Sequence, residues 1–241
     1  MAEPLLTLDG VHTHIGQYHI LQGVDFVVPE GAVTVILGRN GAGKTTTMRT
    51  IMGLWQASRG RIRFGGEDIT RADTPAIARR GIAFVPENMG IFTDLTVQEN
   101  LLLAATAGPI DSARLDWVFT LFPPLKTFWA LRAGNLSGGQ KQMLSVARAV
   151  IEPRRLILID EPTKGLAPAI IKAMIAAILE LKATRTTILL VEQNFAMARS
   201  VGDTVAVMDD GRIVHRGEMA ALAADATLQA RLMGLSLEAH Q

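Results

Sequence analysis

The feature that most constrains this chain is an octet, Gly38-Arg39-Asn40-Gly41-Ala42-Gly43-Lys44-Thr45, placed directly after the apolar run Val33-Thr34-Val35-Ile36-Leu37. A short run of mostly β-branched residues is the pattern of a strand buried on both faces of a parallel sheet. The octet fits G-x-x-x-x-G-K-[ST], and residues 44–52 behind it have helical character. Strand, glycine loop and helix in that order make a cradle for phosphate. Glycines let the backbone turn until several N–H groups converge. The helix N-terminus adds positive potential, Lys44 reaches the outer phosphates, and the Thr45 hydroxyl can ligate Mg²⁺. A glycine-rich turn that binds nothing is the plain alternative, and correct placement between strand and helix disfavours it.

The rest of the chain supplies the frame such a loop needs. Strand signals fall at 5–11, 20–28, 61–64, 82–85, 156–159, 187–191 and 205–208. Helical patterns fall at 75–80, 111–122, 137–152, 167–183 and 195–201, and Thr96-Val97-Gln98-Glu99 reads as a capping box opening another helix. Pro123-Pro124 breaks the helix before it. Alternation of this kind predicts an α/β fold around a largely parallel sheet. The 241 residues carry 49% hydrophobic and 20% charged side chains, ordinary for a packed domain. A net charge of +1 gives no bulk attraction to nucleic acid or anionic lipid. With no cysteine, disulfides and thiolate metal sites are impossible. Met1-Ala2-Glu3-Pro4 lacks the basic start of a secretory signal, and the stretch 170–181 is too short to span a bilayer. Work at a membrane would require docking to other subunits.

Two further motifs carry chemistry. Leu156–Ile159 delivers Asp160 and Glu161 at a strand's C-terminal end, where open α/β sheets bind ligands. Asp160 suits Mg²⁺, which wants oxygen ligands and keeps several waters. Glu161 suits a water that must lose a proton. Leu136-Ser137-Gly138-Gly139-Gln140 opens the long helix, with Ser137 and Gln140 forming a capping box. A capped helix start flanked by glycine is also an anion site.

Together these residues resemble the nucleotide-binding subunits of ABC transporters, over nearly the whole chain. Gly38 to Thr46 is similar to Walker A, Leu156–Glu161 to Walker B with its catalytic Glu, Leu136–Gln140 to the family signature, and Pro162–Pro168 to the D-loop. The resemblance implies a P-loop NTPase of the ABC ATPase type. It would be one nucleotide-binding domain over 1–241, with a small N-terminal antiparallel β subdomain and a helical signature subdomain at roughly 90–150. It implies ATP hydrolysis with Mg²⁺. Lys44, Glu161 and Gln193 would be catalytic, residues 38–46 would bind ATP, and Thr45, Asp160 and Glu87 would serve the metal. It also implies a head-to-tail dimer, homomeric or with a paralogous ATP-binding subunit. There Ser137, Gly138, Gly139 and Gln140 would face the partner's nucleotide, with Ser137 and Gly139 touching it. Membrane subunits would be direct partners on the cytoplasmic face, and a periplasmic or extracellular solute-binding protein an indirect one. Nucleic acid is not expected.

Four positions depart from the commonest pattern. Glu87 stands where most relatives have Gln, and Gln193 where most place a switch His. Gln can hydrogen-bond a γ-phosphate but gains no proton near neutral pH. Both changes, with Gly165-Leu166-Ala167-Pro168 and the tail Met233-Gly234-Leu235, are similar to the importers of branched-chain amino acids and related amides. Ile15 falls where an aromatic usually stacks on adenine. Tyr18 and His14 stand nearby as replacements, or Tyr18 merely packs on the small sheet. Lys164 sits in the D-loop where a small or polar residue is commoner, near the expected dimer seam. Met89, Ile91, Phe92 and Leu95, just past Glu87, suggest local core or the groove that receives a membrane subunit. Other transport ATPases, for urea, amides or lipid, and a non-transport cytosolic ABC ATPase remain the alternatives.

Overall fold

The computed structural model describes residues 4–106 and 108–233. Met1 to Glu3 of the N-terminal reading, and Gly234 and Leu235 of the tail motif, lie outside the described residues.

Two sheets organise the chain. The first contains β1 (Pro4–Ile15), β2 (Tyr18–Pro29), β4 (Ala57–Phe64) and β5 (Glu67–Asp68), ordered β2-β1-β4-β5 and antiparallel throughout. The second holds β3 (Val33–Gly38), β6 (Ile82–Val85), β7 (Leu156–Asp160), β8 (Thr187–Glu192), β9 (Thr204–Asp209) and β10 (Arg212–Glu218), ordered β10-β9-β3-β8-β7-β6. Only its β9–β10 edge is antiparallel; β3, β6, β7, β8 and β9 run parallel.

The core forms on both faces of this second sheet because its strands alternate between them. Val33, Val35 and Leu37 of β3 enter one cluster with Ile157, Ile159, Ile188 and Leu190. Ile36 joins the opposite cluster with Leu158 and Leu189, against Leu6, Leu21 and Phe26 of the first sheet. Each such fully buried side chain contributes about 1.5–3 kcal/mol of transfer free energy. The central strands therefore leave the ends of β3, β7 and β8 little freedom, and those ends carry the chemistry.

Helices complete the layers. α1 (Lys44–Ile51) follows the octet, and α2 (Thr74–Arg79) is capped by the Asp73 side chain accepting from the Ala76 N–H. Between β6 and β7 come α3 (Val97–Ala104), α4 (Ser112–Leu121), α5 (Pro123–Thr127), a 3₁₀ turn at Ala133–Asn135 and α6 (Gly138–Val150). α7 (Pro168–Ala183), α8 (Phe195–Val201), α9 (Met219–Ala224) and α10 (Ala226–Met233) follow. Both expected capping boxes form, at Thr96–Glu99 and Ser137–Gln140. Pro123-Pro124 ends α4 and also starts α5, since proline is at home in a helix's first turn. β5, β10, α9 and α10 exceed the sequence expectation. For β10 the turn signal was present, because Asp210-Gly211 is a two-residue hairpin turn joining it to β9.

Candidate nucleotide site and its family

The octet forms a turn closed by close backbone contact. Gly38 has φ +156, and a Cβ there would sit 2.2 Å from the Met208 carbonyl of the neighbouring strand β9. Only glycine lets the loop leave β3 so close to β9. On the far side the Gly211 N–H donates to the Ala42 carbonyl at 2.9 Å, and Gln22 N–H donates to the Gly211 carbonyl at 2.8 Å. The β9–β10 turn thus ties the loop to β2. A cavity of about 590 Å³ opens here, lined by Arg39, Asn40, Gly41, Ala42, Asp209 and Asp210.

Lys44 is 4% exposed. Its ammonium donates to the carbonyls of Gly38 at 2.9 Å and Arg39 at 3.0 Å, and lies 3.5 Å from Glu161 Oε1. The ammonium thus sits between two carbonyls of the loop and one carboxylate. Thr45 and Thr46 follow in the first turn of α1, half-buried.

At the end of β7, Asp160 is 1% exposed, and neither carboxylate oxygen completes a hydrogen bond. Burial raises its pKa from 3.8 to about 6; the charges of Glu161 and Glu87 push the same way, and the Thr45 hydroxyl opposes. An orphaned buried carboxylate is costly unless a cation compensates it. This donor set, one carboxylate beside one hydroxyl with further carboxylates near, is the hard-oxygen chemistry that magnesium takes. The residues fit that ion.

Glu161, 8% exposed, adopts φ +47, uncommon for a residue with a Cβ. Its N–H donates to the Val191 carbonyl at 3.0 Å, which fixes the kink. Gln193 Nε2 donates to Glu161 Oε1 at 2.6 Å, and Lys164 lies 3.6 Å from Oε2. The structure thus brings Lys44, Glu161 and Gln193 together at the ends of three neighbouring elements. Gln193 orients the carboxylate as well as standing at the expected sensor position.

Glu192 escaped sequence reasoning. Buried at the end of β8, it accepts from the Thr163 hydroxyl at 2.7 Å and from the N–H groups of Gln193 at 3.1 Å and Asn194 at 3.2 Å. Burial raises its pKa, with these bonds opposing. It ties the Pro162–Pro168 loop to the residue that orients Glu161. Its sequence signal was a carboxylate closing the apolar run Ile188–Val191.

Other expected residues lie elsewhere. Ser137 and Gly138 are exposed at the start of α6, Gln140 is half-buried one turn in, and Gly139 is buried. A Cβ on Gly139 would meet Ile170 of α7 at 2.7 Å, so packing inside this chain already demands glycine there. Tyr18 is 65% exposed and pairs across the strands with Ile15. Ile15 shares a face with Thr13, whose partner Leu21 comes within 3.0 Å of a Cβ built on Gly43. His14 instead pairs with His19 and stacks on it at 4.2 Å, on the opposite face. The register puts Tyr18, and not His14, on the side of the phosphate loop. Of the four apolar residues past Glu87, Ile91 packs against the core, Met89 and Leu95 are half-buried, and Phe92 is exposed under the Arg148 guanidinium at 5.0 Å. Ser145 and Arg148 of α6 donate to the Met89 and Gly90 carbonyls, which fastens this loop to α6. A second groove, about 960 Å³ and away from the phosphate loop, is lined by Leu54, Pro75, Phe84, Met89, Ala104 and Arg148.

A parallel sheet whose strand ends present a glycine loop, a buried lysine and two acidic residues defines a P-loop ATPase. A family model described as ABC transporter matches residues 21–164. The chain belongs to the ABC transporter family and is an ATP-hydrolysing subunit of it. It is 40% identical over 220 residues to the high-affinity branched-chain amino acid transport ATP-binding protein BraG of Pseudomonas aeruginosa, covering 90% of this chain and 94% of that one. It is 35% identical to a probable branched-chain amino acid transport ATP-binding protein, LivF, of Archaeoglobus fulgidus, covering 83% and 86%. A solved ATP-binding subunit of an ABC transporter superposes with a TM-score of 0.80 at 31% identity, covering 97% of this chain and 96% of that one. Among the described residues no helix is long and apolar enough to cross a membrane.

Proposed function

We propose that this chain powers an importer of branched-chain or related amino acids and amides, docked on membrane subunits at the cytoplasmic face of the membrane. The reading is carried by 40% identity with BraG across nearly the full length of both chains. Glu87 and Gln193, the departures from the commoner Gln and His, agree with it. Residues 1–241 would act as one nucleotide-binding unit, with 90–150 as an inserted helical subdomain and a solute-binding protein as the indirect partner.

The phosphates would lie on the amides of residues 38–46, with Lys44 on the outer phosphates and Tyr18 beside the adenine. Mg²⁺ would be held by Thr45 and Asp160, with Glu87 as a further oxygen; when bound, it neutralises phosphate charge. Glu161 accepts the proton of the attacking water, and Gln193 holds its carboxylate in place and faces the γ-phosphate. Little covalent chemistry is asked of the protein, because phosphoryl transfer is mostly positioning and charge stabilisation. Ser137 to Gln140 of a second subunit would close the site, so that ATP favours the joined pair and hydrolysis releases it. The groove lined by Leu54, Phe84 and Met89 suits a helix of the membrane subunit, because Ser145 and Arg148 tie one wall of it to α6.

The test is reconstitution with the membrane subunits in liposomes. Uptake of labelled leucine or isoleucine should require ATP inside and the solute-binding protein outside. Uptake of an unrelated solute class in their place would overturn the amino-acid assignment while leaving the ATPase intact. At the site, Gln193→Ala should slow kcat at saturating ATP by about 10–100-fold, since a hydrogen bond to a charged group is worth about 1.5–3 kcal/mol. Wild-type turnover in that variant would remove Gln193 from its role.

A further inference from the structure

Two of the four unusual residues meet. Lys164 Nζ donates to Glu87 Oε1 at 2.6 Å and lies 3.6 Å from Glu161 Oε2. The pairing joins residues 77 positions apart, one in the loop after β6 and the other in the Pro162–Pro168 loop. Where relatives commonly carry an uncharged Gln and a small or polar residue, this chain carries a carboxylate and a cation in contact. Without the ammonium, Glu87 would face Asp160 and Glu161 stripped of its ion-pair partner, and like charges gathered in one site repel. The next residue back, Thr163, is itself anchored by the buried Glu192. Lys164 therefore extends from a fixed point, and its reach to Glu87 is not the wandering of a free surface lysine.

We propose that Lys164 is a positioning residue. It holds Glu87, and through it the loop that lines the proposed membrane-subunit groove, in register with Glu161. The pair is a latch between the face expected to meet a second ATP-binding subunit and the loop expected to meet the membrane subunit. Its strength follows from where it lies. Lys164 and Glu87 are both exposed in the single chain, where an ion pair contributes little. Closure of a second copy over this surface would remove water from the pair and strengthen it, so the latch is set by dimer closure. This reading rests on the nucleotide-site assignment above.

The experiment is a double-mutant cycle on the intact transporter, with wild type, Lys164→Met, Glu87→Gln and the double variant. Methionine keeps the side chain's length and removes its charge. Coupling energies between contacting residues correspond to roughly 2–100-fold. Lys164→Met should lower kcat by about tenfold with KM for ATP within about twofold. Glu87→Gln, which also removes a proposed metal oxygen, sets its own lower baseline; in that background Lys164→Met should cost no further turnover, and Lys164→Arg alone should keep turnover near wild type. ATP affinity measured without magnesium, where no hydrolysis occurs, should be equal in all variants. Multiplying losses in the double variant, or an unchanged kcat in Lys164→Met, would overturn the latch. Failure of the wild type itself to bind ATP would instead overturn the site on which the latch depends.

Discussion

Glu161→Gln is expected to bind ATP as tightly as the wild type while hydrolysing it about 10²–10⁴-fold more slowly, the usual range for removing a positioned general base. The geometry is the reason for so clean a separation. Glu161 touches none of the backbone amides of the phosphate loop; its carboxylate is held from the side by Gln193, Lys44 and Lys164. Glutamine is nearly the same size and preserves the left-handed backbone turn, yet cannot accept the water's proton. The variant should therefore accumulate as an ATP-bound dimer, seen as a doubling of mass on size exclusion when ATP is present. Turnover within a few-fold of wild type would show that the proton goes elsewhere.

The second large effect runs in two directions. Asp160→Asn should abolish magnesium-dependent hydrolysis and at the same time stabilise the nucleotide-free chain. Burial holds the folded pKa near 6, against an ordinary value of 3.8. Between those values the folded chain keeps a proton that the unfolded chain releases. The contribution of this group to stability is thus most favourable at acidic pH and falls as pH rises through about 4 to 6. By pH 7 the ionised carboxylate costs on the order of 3 kcal/mol. Asparagine removes that charge but leaves a buried amide in need of partners, so a net gain of about 1–2 kcal/mol is expected. Urea unfolding of both proteins at pH 7 and pH 5 measures it. The advantage of the variant should shrink at pH 5, where wild-type Asp160 is largely protonated. A variant less stable than wild type at pH 7 would mean that the carboxylate is satisfied in the folded chain. Function here opposes stability: the residue that destabilises the isolated subunit is the one proposed to hold the metal.

The nucleotide site was legible because its parts are local in sequence. A phosphate loop needs its glycines, lysine and hydroxyl within eight consecutive residues, and the capping boxes at Thr96 and Ser137 need only four. Such spacing survives any tertiary arrangement. The buried strands 33–37, 156–159 and 187–191 were equally plain, because strands covered on both faces are apolar almost throughout, with only Thr34 and Thr187 as exceptions. The edges were harder. β1 and β2 run to 12 residues each with several register shifts, and their alternation blurs at each bulge. β10 is mostly exposed, so it carries few of the apolar positions by which strands are found.

The sequence by itself determined the cradle, the acidic strand end and the capped signature helix, each of which is short-range chemistry written in adjacent residues. Tertiary structure alone decided which of them touch. It placed Gln193 on Glu161, Glu192 under Thr163, Lys164 against Glu87, and Tyr18 on the opposite strand face from His14. The physical reason is that these contacts join residues 29 to 77 positions apart, or turn on a single bulge that reverses a side chain's direction. No local pattern encodes distances of that kind; they follow from the order in which the parallel strands lie side by side.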